Sequence, residues 1–142
     1  MQWSRDEHTI STDKARLDVP LVHAFLSEEA YWSLGRERSV VERSIEGSLC
    51  FGIYDREGQV GFARLVTDYA TFAWVCDVFV LPRARGKGLA KWLMQIVVEH
   101  PEVRGLRRWM LGTRDAHGLY QRVGFLPPLE PQRYMVRSGG GK

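Results

Sequence analysis

Val78-Phe79-Val80-Leu81-Pro82-Arg83-Ala84-Arg85-Gly86-Lys87-Gly88-Leu89-Ala90 decides the fold of this chain. An apolar strand ends in a basic, glycine-containing turn, and the turn opens an amphipathic helix. In that helix Leu89, Trp92, Leu93, Ile96 and Val97 recur at the spacing that puts them on one face, against a sheet. Gly86 and Gly88 tolerate positive φ, so successive N–H groups can converge on one point. The helix N-terminus adds its dipole, and Arg85 and Lys87 add charge, so the turn suits a phosphate. A Walker A loop is excluded by spacing: Leu81 stands at its first glycine and Gly88 where a hydroxyl is required. A dinucleotide fingerprint fails for want of a third glycine.

Working outward, Phe72 to Leu81 is nearly continuously apolar, as a central strand covered on both faces should be. The helix over 89–99 leads to a strand at Arg107 to Gly112, a βαβ crossover that makes those two strands parallel. A short helix follows over Asp115 to Val123, then a closing strand at Tyr134 to Arg137. Upstream, Leu49 to Tyr54 and Gln59 to Thr67 form a hairpin about Asp55-Arg56-Glu57-Gly58. Asp18 caps a helix carrying Leu21, Val22, Phe25 and Leu26, and Ser39 caps a second with Val40, Val41 and Ile45. Glu7 to Leu17 has no helical period and is expected to be the first strand. The pattern gives one α/β (α+β) domain over 1–137, a mixed, mostly antiparallel sheet with helices on both faces, and a flexible tail over 138–142.

The chain's 142 residues suffice for one domain with a real core. No apolar run is long enough to span a membrane, and the N-terminus is too polar for a secretion signal. Cys50 and Cys76 lie in apolar strand-like runs, which points to reduced thiols and a cytoplasmic location. No Cys/His spacing suggests a metal site. The net charge of +3 is unevenly placed: residues 1–76 hold 8 Lys/Arg against 12 Asp/Glu, and residues 77–142 hold 12 against 5. The basic half contains the phosphate turn; the acidic half is suited to a neutral or cationic partner.

Arg83-x-x-Gly86-x-Gly88 after a strand resembles the acyl-CoA pyrophosphate loop of the GNAT superfamily of N-acetyltransferases. Leu119-Tyr120-Gln121-Arg122-Val123-Gly124-Phe125 is similar to the family's second landmark, a helix tyrosine followed by Gly-Phe. The resemblance implies a GNAT-like fold with acetyl-CoA as donor. Main-chain N–H groups from about Arg85 through Gly86, Lys87, Gly88 and Leu89 to Ala90 would grip its diphosphate. It also implies that pantetheine enters a gap between the strand at 72–81 and the strand at 107–112. A bulge there would turn an N–H near Phe79 or Val80 to the thioester carbonyl. Thr113 stands where the family often has asparagine, at a position to cap the last helix or touch the pantetheine arm. Tyr120 takes the place of the acid that protonates the leaving thiolate as a tetrahedral intermediate collapses. Chemistry agrees: a phenol pKa of roughly 10 exceeds a thiol's of about 8.5, so the tyrosine keeps a proton to give.

Asp77 is the one charge inside the apolar strand. Either it is the base that deprotonates the amine, its pKa raised by burial, or it pairs with an arginine such as Arg64 and holds the sheet. Tyr31, Trp32 and Arg36 are the acceptor-pocket candidates. Arg36 suits a carboxylate and the acidic half suits an amine, which together fit an amino acid or a related small amine. The expected reaction is acetyl transfer from acetyl-CoA to a primary amine by direct attack. Two alternatives remain: a CoA-binding member without catalysis, and a small basic nucleic-acid module built on Arg83, Arg85, Lys87, Arg107 and Arg108. Against the module, Trp92 and Trp109 fall at core-like positions instead of serving as stacking platforms. The sequence leaves open whether the chain forms a homodimer.

Overall fold

The computed structural model describes residues 1–142. Six strands form one sheet in chain order: β1 (Gln2–Arg5), β2 (His8–Ser11), β3 (Leu49–Asp55), β4 (Gly58–Thr67), β5 (Phe72–Val80) and β6 (Arg108–Met110). Every neighbouring pair is antiparallel except β5 and β6, which are parallel. Their crossover is α3 (Leu89–Glu99), as the strand–turn–helix–strand pattern demands.

Alternation along the strands sorts the core into two layers. On one face α1 (Val19–Glu28) and α2 (Arg38–Glu46) lay Val22, Phe25, Leu26, Val41 and Ile45 over Cys50, Phe62 and Phe79. On the other, Leu89, Trp92, Leu93, Met94 and Val97 of α3 cover Phe51, Ile53, Leu65 and Val75. Leu93 and Met94 are wholly buried; side chains of this size each contribute about 1.5–3 kcal/mol on leaving water. Asp18 caps α1 by accepting from Leu21 N at 3.1 Å. Asp55 closes the β3–β4 turn by accepting from Glu57 N and Gly58 N.

Three sequence expectations differ from the structure. Glu7 to Leu17 is not one strand: β1 and β2 form a hairpin turning at Asp6, and Lys14–Arg16 is a 3-10 turn. Asp13 makes that turn by accepting from Ala15 N at 2.9 Å, which takes the chain off the sheet. Helix α2 starts at Arg38, with Glu37 in the capping place and no side-chain cap, so Ser39 lies inside it. No strand forms at Tyr134 to Arg137, and β6 ends the sheet. Pro127, Pro128 and Pro131 precede that segment and lack the N–H groups a ladder needs. Its one side-chain tie to the sheet is Arg108 Nη1 donating to Tyr134 Oη at 2.6 Å.

Candidate active site

Parallel pairing of β5 and β6 covers only Phe72 with Arg108, Ala73 with Trp109 and Trp74 with Met110. Beyond Trp74, β5 continues alone to Val80, and a wedge opens between the two strands. Here β5 also bulges: Cys76 pairs with Arg64 and Phe79 with Phe62, so Asp77 and Val78 together oppose Ala63. Asp77 sits at φ 52, in the left-handed region, a costly conformation for a residue with a Cβ. The wedge is a cavity of about 670 Å³ with β5 from Trp74 to Val80 on one side and Thr113, Leu119 and Tyr120 on the other.

Main-chain direction follows from the ladder. Leu81 N–H donates to Val60 O on the β4 side. Neighbouring residues of a strand point their N–H groups to opposite edges. Val80 therefore directs its N–H to the open edge, the side facing the wedge. Its carbonyl accepts from Arg85 Nε at 3.0 Å. Phe79 turns into the core instead, stacking on Phe25 with ring centroids 4.0 Å apart.

At the glycine turn, Gly86 and Gly88 have φ of 81° and 72°. Gly88 precedes α3 and no side chain caps the helix, so the first amides of α3 are left for another acceptor. Lys87 is exposed beside them and Ala90 lines the cavity. Arg83 is drawn away: its Nη1 lies 2.7 Å from Asp55 and 3.0 Å from Glu57. It ties the turn to the β3–β4 hairpin instead of pointing at the phosphate position. A residue outside the sequence candidates, Arg5 of β1, approaches the carbonyls of Lys87 and Gly88 and lies 4.7 Å from the Trp92 ring centre. Only the sheet order brings Arg5 there. Of the five basic residues Arg83, Arg85, Lys87, Arg107 and Arg108, only Arg83 is neutralised by an ion pair, while Arg85 and Arg108 donate to the neutral Val80 carbonyl and Tyr134 hydroxyl.

Tyr120 lies in α4 (His117–Gln121), half-buried and edge-on to Phe125. Burial, reinforced by the nearby Tyr31 and Asp115, pushes its phenol up to about 12. Thr113 Oγ1 accepts from Ala116 N at 3.1 Å and so shapes the entry to α4. Burial pushes the Cys76 thiol up as well, and no group of three or more His, Cys, Asp or Glu side chains is arranged to hold a metal ion.

The acceptor candidates converge on Asp77. Trp32 Nε1 donates to its Oδ1 at 2.9 Å, Arg36 Nη1 reaches both oxygens at 3.1 and 3.0 Å, and Arg64 Nε donates to Oδ2 at 2.9 Å. Of the two sequence readings of Asp77, the ion pair with Arg64 is present, and Arg36 joins it. Tyr31 crosses the wedge: its hydroxyl accepts from Arg114 N at 2.9 Å, and the Arg114 guanidinium carbon lies 3.8 Å from its ring centre. Arg114 and Trp74 carried no signal in the sequence, because an exposed loop arginine and a strand tryptophan are both ordinary.

Comparison with known proteins gives a consistent result. The model of the GNAT acetyltransferase family matches residues 19–125. A curated Gibberella zeae protein, assigned as an acetyltransferase, is 32% identical over 140 residues, covering 83% of this chain and 78% of its own. A crystal structure from Xanthomonas campestris pv. campestris, assigned to the GNAT family, is 48% identical with a TM-score of 0.92 and covers 97% of each chain. A GNAT acetyltransferase of Elizabethkingia anophelis, solved with acetyl-CoA bound, shares the fold at 14% identity and a TM-score of 0.66, covering 96% of this chain and 92% of its own.

Proposed function

This chain belongs to the GNAT family of acetyltransferases, and on that premise we propose that it moves the acetyl group of acetyl-CoA to the primary amine of a small molecule. The observation that carries the proposal is the wedge itself: a split between β5 and β6 with the left-handed glycine turn at one end and Tyr120 on its wall.

The residues present fit the donor. The uncapped amides of α3 and the backbone of Gly86 to Ala90 are suited to hold a diphosphate, with Arg85 and Lys87 adding charge. When bound, acetyl-CoA supplies a thioester activated toward amines. Val80 N–H, aimed at the open edge, is the donor for negative charge developing on the carbonyl oxygen; such donors commonly contribute a few kcal/mol each. Tyr120 retains its proton far above neutral pH and gives it to the departing sulfur. The proton released by the attacking nitrogen leaves through solvent in the open wedge, from which the phenol is reprotonated. Asp77 acts as a positioning residue and not as the base. Two guanidinium groups and an indole N–H support that reading, because each carboxylate oxygen already accepts two of these donors and neither is turned toward an incoming amine.

Thiol release from acetyl-CoA with a panel of small amines tests the reaction. Tyr120→Phe should lower kcat by about 10²-fold or more while CoA affinity stays within about twofold. Unchanged turnover would remove Tyr120 from the mechanism. CoA binding with no thiol release from any amine would mark a non-catalytic member of the family.

A further inference from the structure

At the acceptor end of the wedge, the charges do not balance. Asp77, with its side chain 2% exposed, faces Arg36 and Arg64, whose side chains are 13% and 14% exposed. One carboxylate serves two guanidinium groups, and no other acidic side chain lies within salt-bridge distance of either arginine. Their donors are also incompletely used. Arg64 spends Nε on Asp77 and Nη1 on Ser48 Oγ, and Arg36 spends Nη1 on Asp77. Nη2 of each arginine has no protein acceptor. Arg36 Nε donates at 3.2 Å to the main-chain oxygen of Lys142, the last residue of the sequence, so the chain's own tail holds this edge of the guanidinium and a ligand's oxygen would have to displace it.

Both guanidinium groups line the wedge, and a fork of unused N–H donors there matches a carboxylate in shape and charge. The donor's phosphates are not the matching anion, since the glycine turn that suits them lies past Val80, at the other end of the cleft. Both arginines line the same cavity as Val78, Val80 and Tyr120. Trp32 and Trp74, 41% and 37% exposed, stand beside them as flat apolar walls.

We propose that the acceptor is an amino acid-like molecule whose carboxylate is received by Arg36 and Arg64, with an apolar, ring-bearing body against Trp32 and Trp74. Asp77 then sets the sign of the subsite: it holds the two arginines together while leaving one positive charge for the ligand. This inference rests on the acetyl transfer proposed above and adds the identity of the group that orients the amine.

Matched acceptors test it on the unaltered enzyme. Phenylalanine is compared with phenethylamine, and tryptophan with tryptamine, as kcat/KM per unprotonated amine. The carboxylate-bearing member of each pair should be favoured at least tenfold. In Arg36→Gln the ratio within a pair should collapse toward one, and Arg36→Lys should restore part of it. Equal kcat/KM within both pairs of the unaltered enzyme would overturn the carboxylate subsite while leaving acetyl transfer standing. Thiol release with other amines of the panel but with none of these four would overturn the amino acid-like acceptor alone. Release with no amine at all, with CoA still bound, would overturn the reaction and the subsite together. If Arg36→Gln does not fold, the unaltered enzyme and Arg36→Lys still decide the question.

Discussion

The two ends of the wedge are built on opposite principles. At the diphosphate end the recognition groups are peptide N–H groups, supplied by one continuous turn in which Gly86 and Gly88 adopt left-handed φ. At the acceptor end they are side chains from separate segments: Trp32 and Arg36 from the α1–α2 loop, Arg64 from β4 and Asp77 from β5. The first end can be altered without touching the core. The second is part of what holds the α1–α2 loop onto the sheet, so binding and folding are coupled there.

The largest effect that should expose this difference comes from Asp77→Ala. Removing the carboxylate leaves two mostly buried guanidinium groups without a counter-ion, a situation that costs about 3–5 kcal/mol. Urea denaturation should show that loss. A change below about 1 kcal/mol would mean the arginines reach water and the acceptor end is not tied to the fold. Next in size is Gly86→Ala. No atom lies within 4 Å of the added Cβ, so the cost is conformational, about 1–2 kcal/mol for a left-handed alanine. The loss should appear chiefly as weaker CoA affinity by calorimetry, with a smaller fall in stability than Asp77→Ala causes. The reverse order of stability losses would break the contrast between the two ends.

The same contrast explains what could be learned from sequence. The strand–turn–helix unit around Gly86 and Gly88 is local, and periodicity plus two glycines identify it completely. The parallel crossover, the β3–β4 hairpin and the two-sided core follow from patterns of the same short range. Arg83 shows where local reading stops: it occupies the motif's first position, yet Asp55 and Glu57 on a different hairpin claim it. Arg5 at the phosphate turn and Arg114 against Tyr31 depend on contacts across more than eighty residues, which no spacing rule encodes. The first hairpin was obscured because it turns at Asp6, a non-glycine residue in the left-handed region, and β2 stops short because Asp13 redirects the chain through a side-chain hydrogen bond. The absent closing strand marks the prolines upstream prevailing over a plausible β-pattern at Tyr134 to Arg137.

The smallest expected effect is an absence, and it separates the chemistry of Tyr120 from its surroundings. A tyrosine with an ordinary pKa of about 10 would be half deprotonated at pH 10, and a mechanism that needs its proton would lose half its rate there. Burial favours the neutral phenol, so the Tyr120 pKa rises to about 12, and the proton stays in place across the range where amine acceptors become deprotonated. With both substrates saturating, kcat should rise with the free-amine fraction and then stay level through pH 10. Any alkaline fall should begin only near the elevated pKa. Opening the wall beside Tyr120 to solvent, as Tyr31→Ala would, weakens the desolvation and should bring that fall to lower pH. If kcat of the unaltered enzyme instead declines between pH 9 and pH 10, and Tyr120→Phe abolishes the decline, the phenol is titrating as an exposed group. The desolvation that burial gives Tyr120 would then be missing at the sulfur end of the wedge.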